Sequence, residues 1–361
     1  MSSFPPVVIS GIGLVTPLGN SAQQTWNALL AGRFIRDHGR VVGDLPQAKT
    51  RVSRLGIAAA EEALTHWDVS ERNEAALVVG TSKGPIDDWL NTPSTLSDLE
   101  AGFGIGSLAG EIAVNLHLGG PVLTTCSACA SGLHALIRGV MLIDHGDADR
   151  VLVLAAESSL HSIFISSFNK LGVLAPIEIG CRPFDVNRAG FLASETAAGV
   201  CLERATENDP RTRITRFAMN ADASHLTRTS EANEPLKHAI ASAISGQQID
   251  LIHAHGTGTI HNDPSEIAAI GASIGIQRDP PTVYSHKGAL GHTSGAAGLV
   301  SVVINVMAHR HGIVPANARL EQPIPSPGLS IEAKQVSRPV RRSVAIAAGF
   351  GGHIAVVSLA S

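Results

Sequence analysis

Aromatic and charged residues are both scarce in this chain of 361 residues, at 4% and 16%, whereas 44% of its residues are hydrophobic. A core of Ala, Val, Ile, Leu and Gly, with 36 glycines in all, indicates closely packed backbones, as in layered α/β folds. The length favours two domains or two fused halves. The net charge is −4 with both signs interspersed, and the lack of a basic patch excludes nucleic acid as a partner.

Two further absences concern membranes and the cell compartment. The first residues lack a charged stretch followed by an apolar one, so no secretory signal peptide is predicted. The most apolar predicted helix, residues 296–308, is shorter than the roughly 20 residues that span a bilayer. The four cysteines are unevenly spaced and mostly lie in apolar strings, which is typical of a reducing compartment. We therefore predict a cytoplasmic protein without a membrane span.

Apolar runs rich in β-branched residues alternate with helical segments, which predicts α/β layers. The first strand is followed by a predicted Gly-rich turn over residues 11–20. A helix then begins at Ser21, in capping-box spacing with Gln24, and ends at Gly32. Strands are predicted at residues 7–10, 76–79, 151–155, 199–202, 214–219, 251–254, 282–285 and 343–347, and further helices at 131–143, 234–245, 264–273 and 295–309.

A weak internal similarity divides the chain into two halves. A turn of small residues carries Cys129 just before one predicted apolar helix, and another carries His292 just before a second. The joint is predicted in the polar stretch of residues 203–210. Residues 1–205 would then form one half and residues 206–361 the other.

Two motifs suggest cofactors, and both are rejected. Residues 104–109 match a loose dinucleotide fingerprint, but they follow the polar residues 97–100 rather than a strand. Cys126 and Cys129 form a C-x-x-C pair, but the other two cysteines are too isolated to complete a zinc site. We interpret the pair as one structural and one functional cysteine, and we predict no cofactor and no metal.

Small residues surround Cys129 in residues 124–134, and an apolar helix follows directly. A cysteine at a helix N-terminus lies at the positive end of the helix dipole, which favours the thiolate. Small neighbours also let a substrate carbonyl approach the sulfur. On this segment alone, a buried and inert cysteine explains the pattern equally well.

A histidine, His255, ends an apolar strand and leads into a Gly/Thr loop, which is followed by Asp263 and Glu266. The carboxyl end of a strand is where α/β sheets bind ligands. His253 lies deeper in the strand, and we interpret it as structural.

Two more turns carry reactive or bulky side chains. Lys287 and His292 lie in the segment 285–292, again after a predicted strand, and Phe350 lies in a Gly-rich turn between two predicted strands. Each turn alone requires no function. Four such turns at the ends of buried strands favour a single shared site.

The combination of TTCSACASGLHAL, HAHGTGT with a downstream Asp and Glu, SHKGALGHTSGAAG and GFGGH resembles the β-ketoacyl synthase family of the thiolase superfamily. The opening VVISGIGLVTPLGN and the RPFD segment through Gly190-Phe191 match the family as well, in its order. The resemblance implies a five-layered α-β-α-β-α fold of two similar halves. It also implies a dimer, because family members build part of the acyl pocket across the subunit interface.

The resemblance also assigns roles to single residues. Cys129 is the nucleophile that takes an acyl group from a carrier thioester, and His255 and His292 hydrogen-bond the thioester carbonyl of the malonyl unit as it loses carbon dioxide. Lys287 positions His292 and its network. The backbone N–H groups of Cys129 and Phe350 form the oxyanion hole, and Phe350 gates the acyl pocket. Asp263 and Glu266 have supporting roles.

The activity that this resemblance implies is that of a β-ketoacyl-acyl-carrier-protein synthase. Such an acyltransferase performs decarboxylative Claisen condensation in fatty-acid, polyene or polyketide assembly. Its partners are an acyl carrier protein and a second subunit, in a homodimer or in a heterodimer with a related subunit. The alternative is a non-condensing partner subunit, similar to a chain-length factor. Ser301 stands where elongating members carry a glutamate, which leaves this alternative open, whereas Cys129 and both histidines favour the enzyme.

Three cations, Lys49, Arg51 and Arg54, lie close together in the sequence QAKTRVSR. Carrier proteins are acidic, and complementary charge raises the rate of association. These residues are therefore candidates for carrier-protein docking. An ordinary solvated helix face explains them equally well.

Overall fold

Strands and helices alternate through the residues that the computed structural model describes, which are 6–86, 90, 104–227, 230, 232–275 and 277–361. The strands are β1 Val7–Val15, β2 Ala76–Gly80, β3 Val122–Thr125, β4 Arg150–Glu157, β5 Thr196–Arg204, β6 Arg213–Ala221, β7 Leu251–His253, β8 Thr282–Tyr284, β9 Ile313–Val314, β10 Ser330–Ile331, β11 Val336–Ser337, β12 Arg342–Gly349 and β13 His353–Ala360. The α-helices are α1 Ala22–Leu30, α2 Arg51–Ala63, α3 Val69–Glu74, α4 Ser107–Leu116, α5 Ser131–His145, α6 Ser162–Lys170, α7 Glu234–Ile244, α8 Asn262–Ile274, α9 Lys287–Leu290 and α10 Ala297–His311.

The sheet topology repeats itself along the chain. Within the described residues, one sheet has the order β10-β8-β7-β12-β13-β6-β1-β5-β4-β2-β3. The order β3-β2-β4-β5-β1 in the first half is the same as the order β8-β7-β12-β13-β6 in the second. In each half, three parallel strands are followed by two antiparallel ones. The prediction of two similar halves is confirmed. The boundary at residue 205 stays a prediction, and it falls between β5 and β6.

Two central helices lie between the two half-sheets. α10 is buried along almost its whole length and contacts α5, β5 and β12, while α5 contacts β2, β4 and β13. One continuous apolar core includes these helices and the inner faces of both half-sheets. Separate apolar clusters lie under α2 and α4 on one outer face and under α7 and α8 on the other. The resulting layers confirm the α-β-α-β-α prediction.

The predicted strands and helices are present with bounds shifted by a few residues. The Gly-rich turn predicted over residues 11–20 is wrong for residues 11–15, and the chain turns only from Thr16 to Asn20. β1 continues through Val15, because Gly11 and Gly13 allow helix α2 to pack directly onto the strand. A Cβ added at either glycine would lie 1.9–2.0 Å from a carbonyl oxygen of Ala63 or Ala59. The first helix ends at Leu30 with Ala31 as its C-cap, and Gly32 follows at C′ with φ +67°, as predicted. The rejection of a nucleotide site relied on the polar residues 97–100, and these lie outside the described residues.

The close contact at Gly13 gives a prediction for stability. Gly13→Ala is expected to lower the free energy of unfolding by about 3 kcal/mol, because its Cβ overlaps backbone and either β1 or α2 must move. The matched control is Gly110→Ala in α4, where an added Cβ meets nothing within 4 Å. We expect this control to stabilise the protein by about 0.5–1 kcal/mol. Urea unfolding measures both changes, and equal stabilities of the two variants would contradict the packing argument.

A search of the described residues for membrane spans found no helix that is both long enough and apolar enough to cross a bilayer.

Candidate active site

A sharp bend between β3 and α5 carries Cys129. Ala128 has φ +47°, a left-handed conformation that is uncommon for a residue with a side chain. The hydroxyl of Ser131 holds this bend, since it accepts a hydrogen bond from the Ser127 N–H at 2.9 Å and donates to the Ala128 carbonyl at 2.6 Å. Cys129 therefore lies just before the first turn of α5, as the sequence predicted.

Two imidazoles face each other across the same cavity. His255 follows β7 and His292 follows α9, and their ring centroids are 5.6 Å apart with an interplanar angle of 82°. Cys129, both histidines and Phe350 line a cavity of about 510 Å³. Four turns that are far apart in the sequence thus meet at one site.

The hydrogen bonds of His292 determine which of its ring nitrogens carries the proton. Nδ1 accepts a hydrogen bond from the Ser294 N–H at 3.2 Å, so in the neutral ring the proton lies on Nε2. The ring also packs edge-on against Phe191, with centroids 4.8 Å apart. Burial, and secondarily the charge of Lys287, lower the pKa of both His255 and His292 well below the usual value. Both rings are therefore neutral at pH 7.

Two buried carboxylates hold the loop after β7. Glu266 accepts hydrogen bonds from the backbone N–H groups of His255 at 2.6 Å and Gly256 at 2.8 Å. Asp263 accepts from the N–H groups of Phe184 at 2.7 Å and Gly258 at 3.1 Å. Burial raises the pKa of Glu266 to about 7. Both carboxylates thus contact the backbone that carries His255 rather than its ring.

The ammonium group of Lys287 is buried and donates to the backbone carbonyl of His255. The resemblance predicted that Lys287 positions His292 and its network, but the hydrogen bond to the His292 ring comes from the Ser294 N–H. Burial lowers the pKa of Lys287 to about 8. No ion pair among the described residues includes Lys287. Ser301, at the position of the family's glutamate, donates to the Ala297 carbonyl at 3.1 Å.

A buried polar network lies behind this lysine. His253 is fully buried, as its position in the strand indicated. Its Nδ1 lies 2.9 Å from the side-chain oxygen of Asn305, and its Nε2 lies 2.9 Å from Nδ1 of His286. Sequence reasoning did not connect these three residues, because their contact arises only from the packing of α10 against β7 and β8. In the described residues, no group of His, Cys, Asp and Glu is arranged to hold a metal ion.

The three candidate docking residues lie away from the cavity and differ from one another. Lys49 and Arg54 are exposed. Arg51 is bound to the buried carboxylate of Glu195 at 2.7 and 3.1 Å and donates to the Val41 carbonyl at 2.7 Å. Arg51 is therefore not a free surface cation, contrary to the picture of three equivalent docking residues.

Two aromatic residues and one lysine near the site were missed in the sequence. Phe168 and Phe191 line the cavity, with ring centroids 5.6 Å apart. Lys83 lies in the loop after β2, with its ammonium group over the ring of Phe168. Phe191 directly follows the glycine of a family motif, whereas Lys83 has no such signal.

Residues 43–208 match the family description "Beta-ketoacyl synthase, N-terminal domain", and residues 212–321 match "Beta-ketoacyl synthase, C-terminal domain". The chain belongs to the β-ketoacyl synthase family. The resemblance inferred from four short motifs is thereby confirmed over most of the sequence.

Curated relatives in the β-ketoacyl synthase family match along nearly the whole chain. A 3-oxoacyl-[acyl-carrier-protein] synthase 2 of Coxiella burnetii is 30% identical over 369 residues, covering 88% of this chain and 89% of its own. A putative polyketide β-ketoacyl synthase 1 of Streptomyces halstedii is 28% identical over 410 residues, covering 98% and 97%.

Solved ketosynthase structures share the fold. A chain of the AntDE:AntF structure, a type II PKS acyl-carrier protein in complex with its ketosynthase, has a TM-score of 0.89 at 21% identity and covers 99% of both chains. A chain of the complex between the ketosynthase ApeO and its chain length factor ApeC, from Xenorhabdus doucetiae, has a TM-score of 0.83 at 23% identity, covering 99% and 98%. These similarities show the thiolase-like fold of the family.

Proposed function

We propose that this chain is a β-ketoacyl-acyl-carrier-protein synthase in which Cys129 is the nucleophile. Its sulfur attacks the thioester carbonyl of an acyl carrier protein, a new C–S bond forms, and the carrier thiol leaves with a proton. Covalent attachment divides one difficult acyl transfer into two easier steps. The Cys129 and Phe350 N–H groups would hold the oxyanion. In support, Gly349 lies so close to Cys129 that a Cβ there would be 3.1 Å from its backbone nitrogen.

The second half-reaction uses His255 and His292. When a malonyl thioester binds, its C–C bond to the carboxylate breaks and carbon dioxide leaves. The electron pair stays on the enolate, whose oxygen accepts hydrogen bonds from the two imidazoles. The carbanion then attacks the acyl-Cys129 carbonyl, and the Cys129 sulfur leaves. Hydrogen-bond donors aimed at a developing charge are among the strongest contributions to catalysis.

The observation that carries this proposal is the hydrogen bond from the Ser294 N–H to Nδ1 of His292, in a cavity that Cys129 also lines. A neutral imidazole with its proton on the nitrogen opposite Nδ1 can donate to a thioester oxygen. Lys287 and Glu266 would maintain this arrangement by fixing the His255 backbone from two sides. Asp263 would do the same for the following turn.

The direct test is intact-mass spectrometry after incubation with a set of acyl carrier proteins. Addition of an acyl mass to the chain, followed by its loss and formation of a 3-oxoacyl carrier when malonyl carrier is added, supports the synthase. No acylation with any carrier contradicts it. Acylation of this chain that begins only after a related second subunit is added would show a synthase that works as a heterodimer, whereas acylation of the second subunit alone would favour the partner-subunit alternative.

A partner subunit is expected at the edge strand β3. Within the described residues this strand ends the sheet, and Val122 is 39% exposed, although its side chain is apolar. Helix α6 next to the cavity carries the apolar residues Ile163, Phe164, Ile165 and Phe168 but has no buried residue. Unpaired strand edges favour pairing with another chain. We propose that a second copy or a related subunit binds here, and native mass spectrometry distinguishes the two.

The cytoplasmic location inferred from the cysteines stays a prediction.

Carrier-protein docking by the exposed cations gives a further prediction. The double variant Lys49→Glu, Arg54→Glu should raise the KM for carrier-bound substrate by about tenfold with a steep salt dependence, because charge complementarity acts mainly on association. The KM for a small thioester mimic should change much less. Arg51 is left intact, since its replacement would remove its hydrogen bond to the buried carboxylate of Glu195. Equal losses with both substrates would show a distorted cavity instead of lost docking.

A further inference from the structure

The loops that follow three neighbouring parallel strands meet at one edge of the first half-sheet. β2 lies between β3 and β4 and is parallel to both. Cys129 lies in the loop after β3, Glu157 ends β4, and Lys83 lies in the loop after β2. The carboxyl ends of parallel strands lie together, so this topology places the Lys83 loop between the loop of the nucleophile and Glu157.

Contacts along the backbone show how close these loops are. The sulfur of Cys126 lies 3.6 Å from the carbonyl oxygen of Ser82, the residue before Lys83. A Cβ added at Gly295 would lie 2.7 Å from the Ser82 nitrogen and 3.2 Å from the Ala128 carbonyl oxygen. The Lys83 loop and the bend that carries Cys129 therefore both approach Gly295 closely.

The ammonium group of Lys83 is held in a mostly aromatic environment. It lies 2.9 Å from the Ser82 hydroxyl, 5.1 Å from the ring centroid of Phe164 and 5.8 Å from that of Phe168. Phe168 lines the cavity together with Cys129. No ion pair of the described residues includes Lys83. Its charge is thus not cancelled by a contacting carboxylate there.

Several charged groups face the Cys129 sulfur, and their effects oppose one another. The pKa of the Cys129 thiol lies above its usual value, mainly because of burial, contrary to the thiolate that a helix N-terminus favours. The charge of Lys83 is the largest cause that lowers this pKa, Lys287 lowers it further, and Glu157 raises it. The carboxylate of Glu157 is itself buried and accepts hydrogen bonds from the Ser82 N–H and the Ser159 hydroxyl. His255 and His292 are neutral at pH 7 and add no charge.

We propose that Lys83 is a positioning residue for acyl transfer, whose ammonium group beside the cavity-lining ring of Phe168 stabilises the negative charge that develops on the Cys129 sulfur, against the opposing charge of Glu157. The proposal rests on Cys129 being the nucleophile. The thiol proton is released to water before the attack, and the departing carrier thiolate takes up a proton, so the exchange is balanced.

The test measures the rate of Cys129 alkylation by iodoacetamide as a function of pH, in a Cys126→Ser background that removes the exposed thiol. Lys83→Met should move the midpoint of the rate profile upward by about one pH unit, because an opposite charge nearby shifts a titration by about 1–3 units. At pH 7 this corresponds to a roughly tenfold slower reaction. Lys83→Arg should stay close to the parent midpoint. The control Lys170→Met removes another cation that lines the cavity and should leave the midpoint unchanged.

A midpoint that does not move in Lys83→Met overturns the proposal, even if the rate falls equally at every pH, because a uniform fall shows lost packing. An equal shift in Lys83→Arg and Lys83→Met overturns it as well, since the charge is kept in one and lost in the other. Alkylation needs neither carrier protein nor extender unit. Failure of the synthase proposal would therefore appear as absent acylation or condensation, while the alkylation profile still tests Lys83.

Discussion

The Cys129→Ala variant is expected to take up no acyl group from a carrier protein and to lose condensation by about 10⁴-fold or more. The variant lacks the sulfur to which the acyl group is transferred, and no other group in the cavity has the same position at the start of α5. The matched control is Cys126→Ser, three residues away in the same segment and exposed. This control should keep nearly full activity. Intact-mass spectrometry measures acylation, and product analysis with malonyl carrier measures condensation.

Peptide mapping after treatment with cerulenin, a cysteine-directed inhibitor, checks the same assignment independently. The adduct should lie on Cys129. Modification of Cys126 instead, or acylation of Cys129→Ala at the parent rate, would contradict the assignment. The two buried cysteines, Cys181 and Cys201, should stay unmodified in the folded protein, because a reagent cannot reach them, whereas Cys129 lines the cavity.

The His292→Ala and His255→Ala variants are each expected to lose decarboxylation and condensation by about 10²–10³-fold, or about 3–4 kcal/mol of transition-state stabilisation. Acylation of Cys129 should be largely retained, because the enolate forms only in the second half-reaction. Single-turnover acylation and carbon dioxide release, measured separately, show this division. Equal losses in both half-reactions would assign the two histidines to general positioning of the cavity.

The matched control is His134→Ala. His134 lies in α5, and its ring packs edge-on against His353 with centroids 5.9 Å apart. Its partner His353 lines the cavity, but neither ring faces His255 or His292 in a ring contact. We expect His134→Ala to condense at a rate near that of the parent. If it instead showed the kinetic profile of His292→Ala without unfolding, the division of roles would be wrong.

Local chemistry in the sequence was sufficient to predict where the main site residues lie. His255 and Phe350 directly follow buried strands in turns of small residues, so the α/β pattern alone places them at strand ends. Small residues also marked the turns of Cys129 and His292, although the partly exposed strand β3 before Cys129 was not predicted. The alternation of strands and helices also gave the layers. Neither pattern depends on how distant parts of the chain approach one another, and both were read correctly.

Features that depend on contacts between residues far apart in the chain were predicted less well from the sequence. Gly11 and Gly13 were interpreted as turn residues, because the carbonyl groups of α2 that require them lie about 50 residues away. Arg51 was grouped with surface cations, because Glu195, its buried partner, is distant in the sequence. Lys83 carried no signal, since its position beside the nucleophile follows only from the pairing of β2 with β3. A sequence shows which residues are charged and which are glycine, but it does not show which distant groups they contact.

The contact between the central helices also bears on how the chain folds during synthesis. Gly132 in α5 lies so close to α10 that a Cβ would be 3.0 Å from the Leu299 nitrogen. Each helix therefore needs the other to cover its inner face. At a synthesis rate of about 5–20 residues per second, the roughly 150 residues between α5 and α10 take about 8–30 s to emerge. For that time the first half-sheet carries an uncovered apolar helix on the ribosome, which makes the nascent chain a client for chaperones that bind exposed hydrophobic segments.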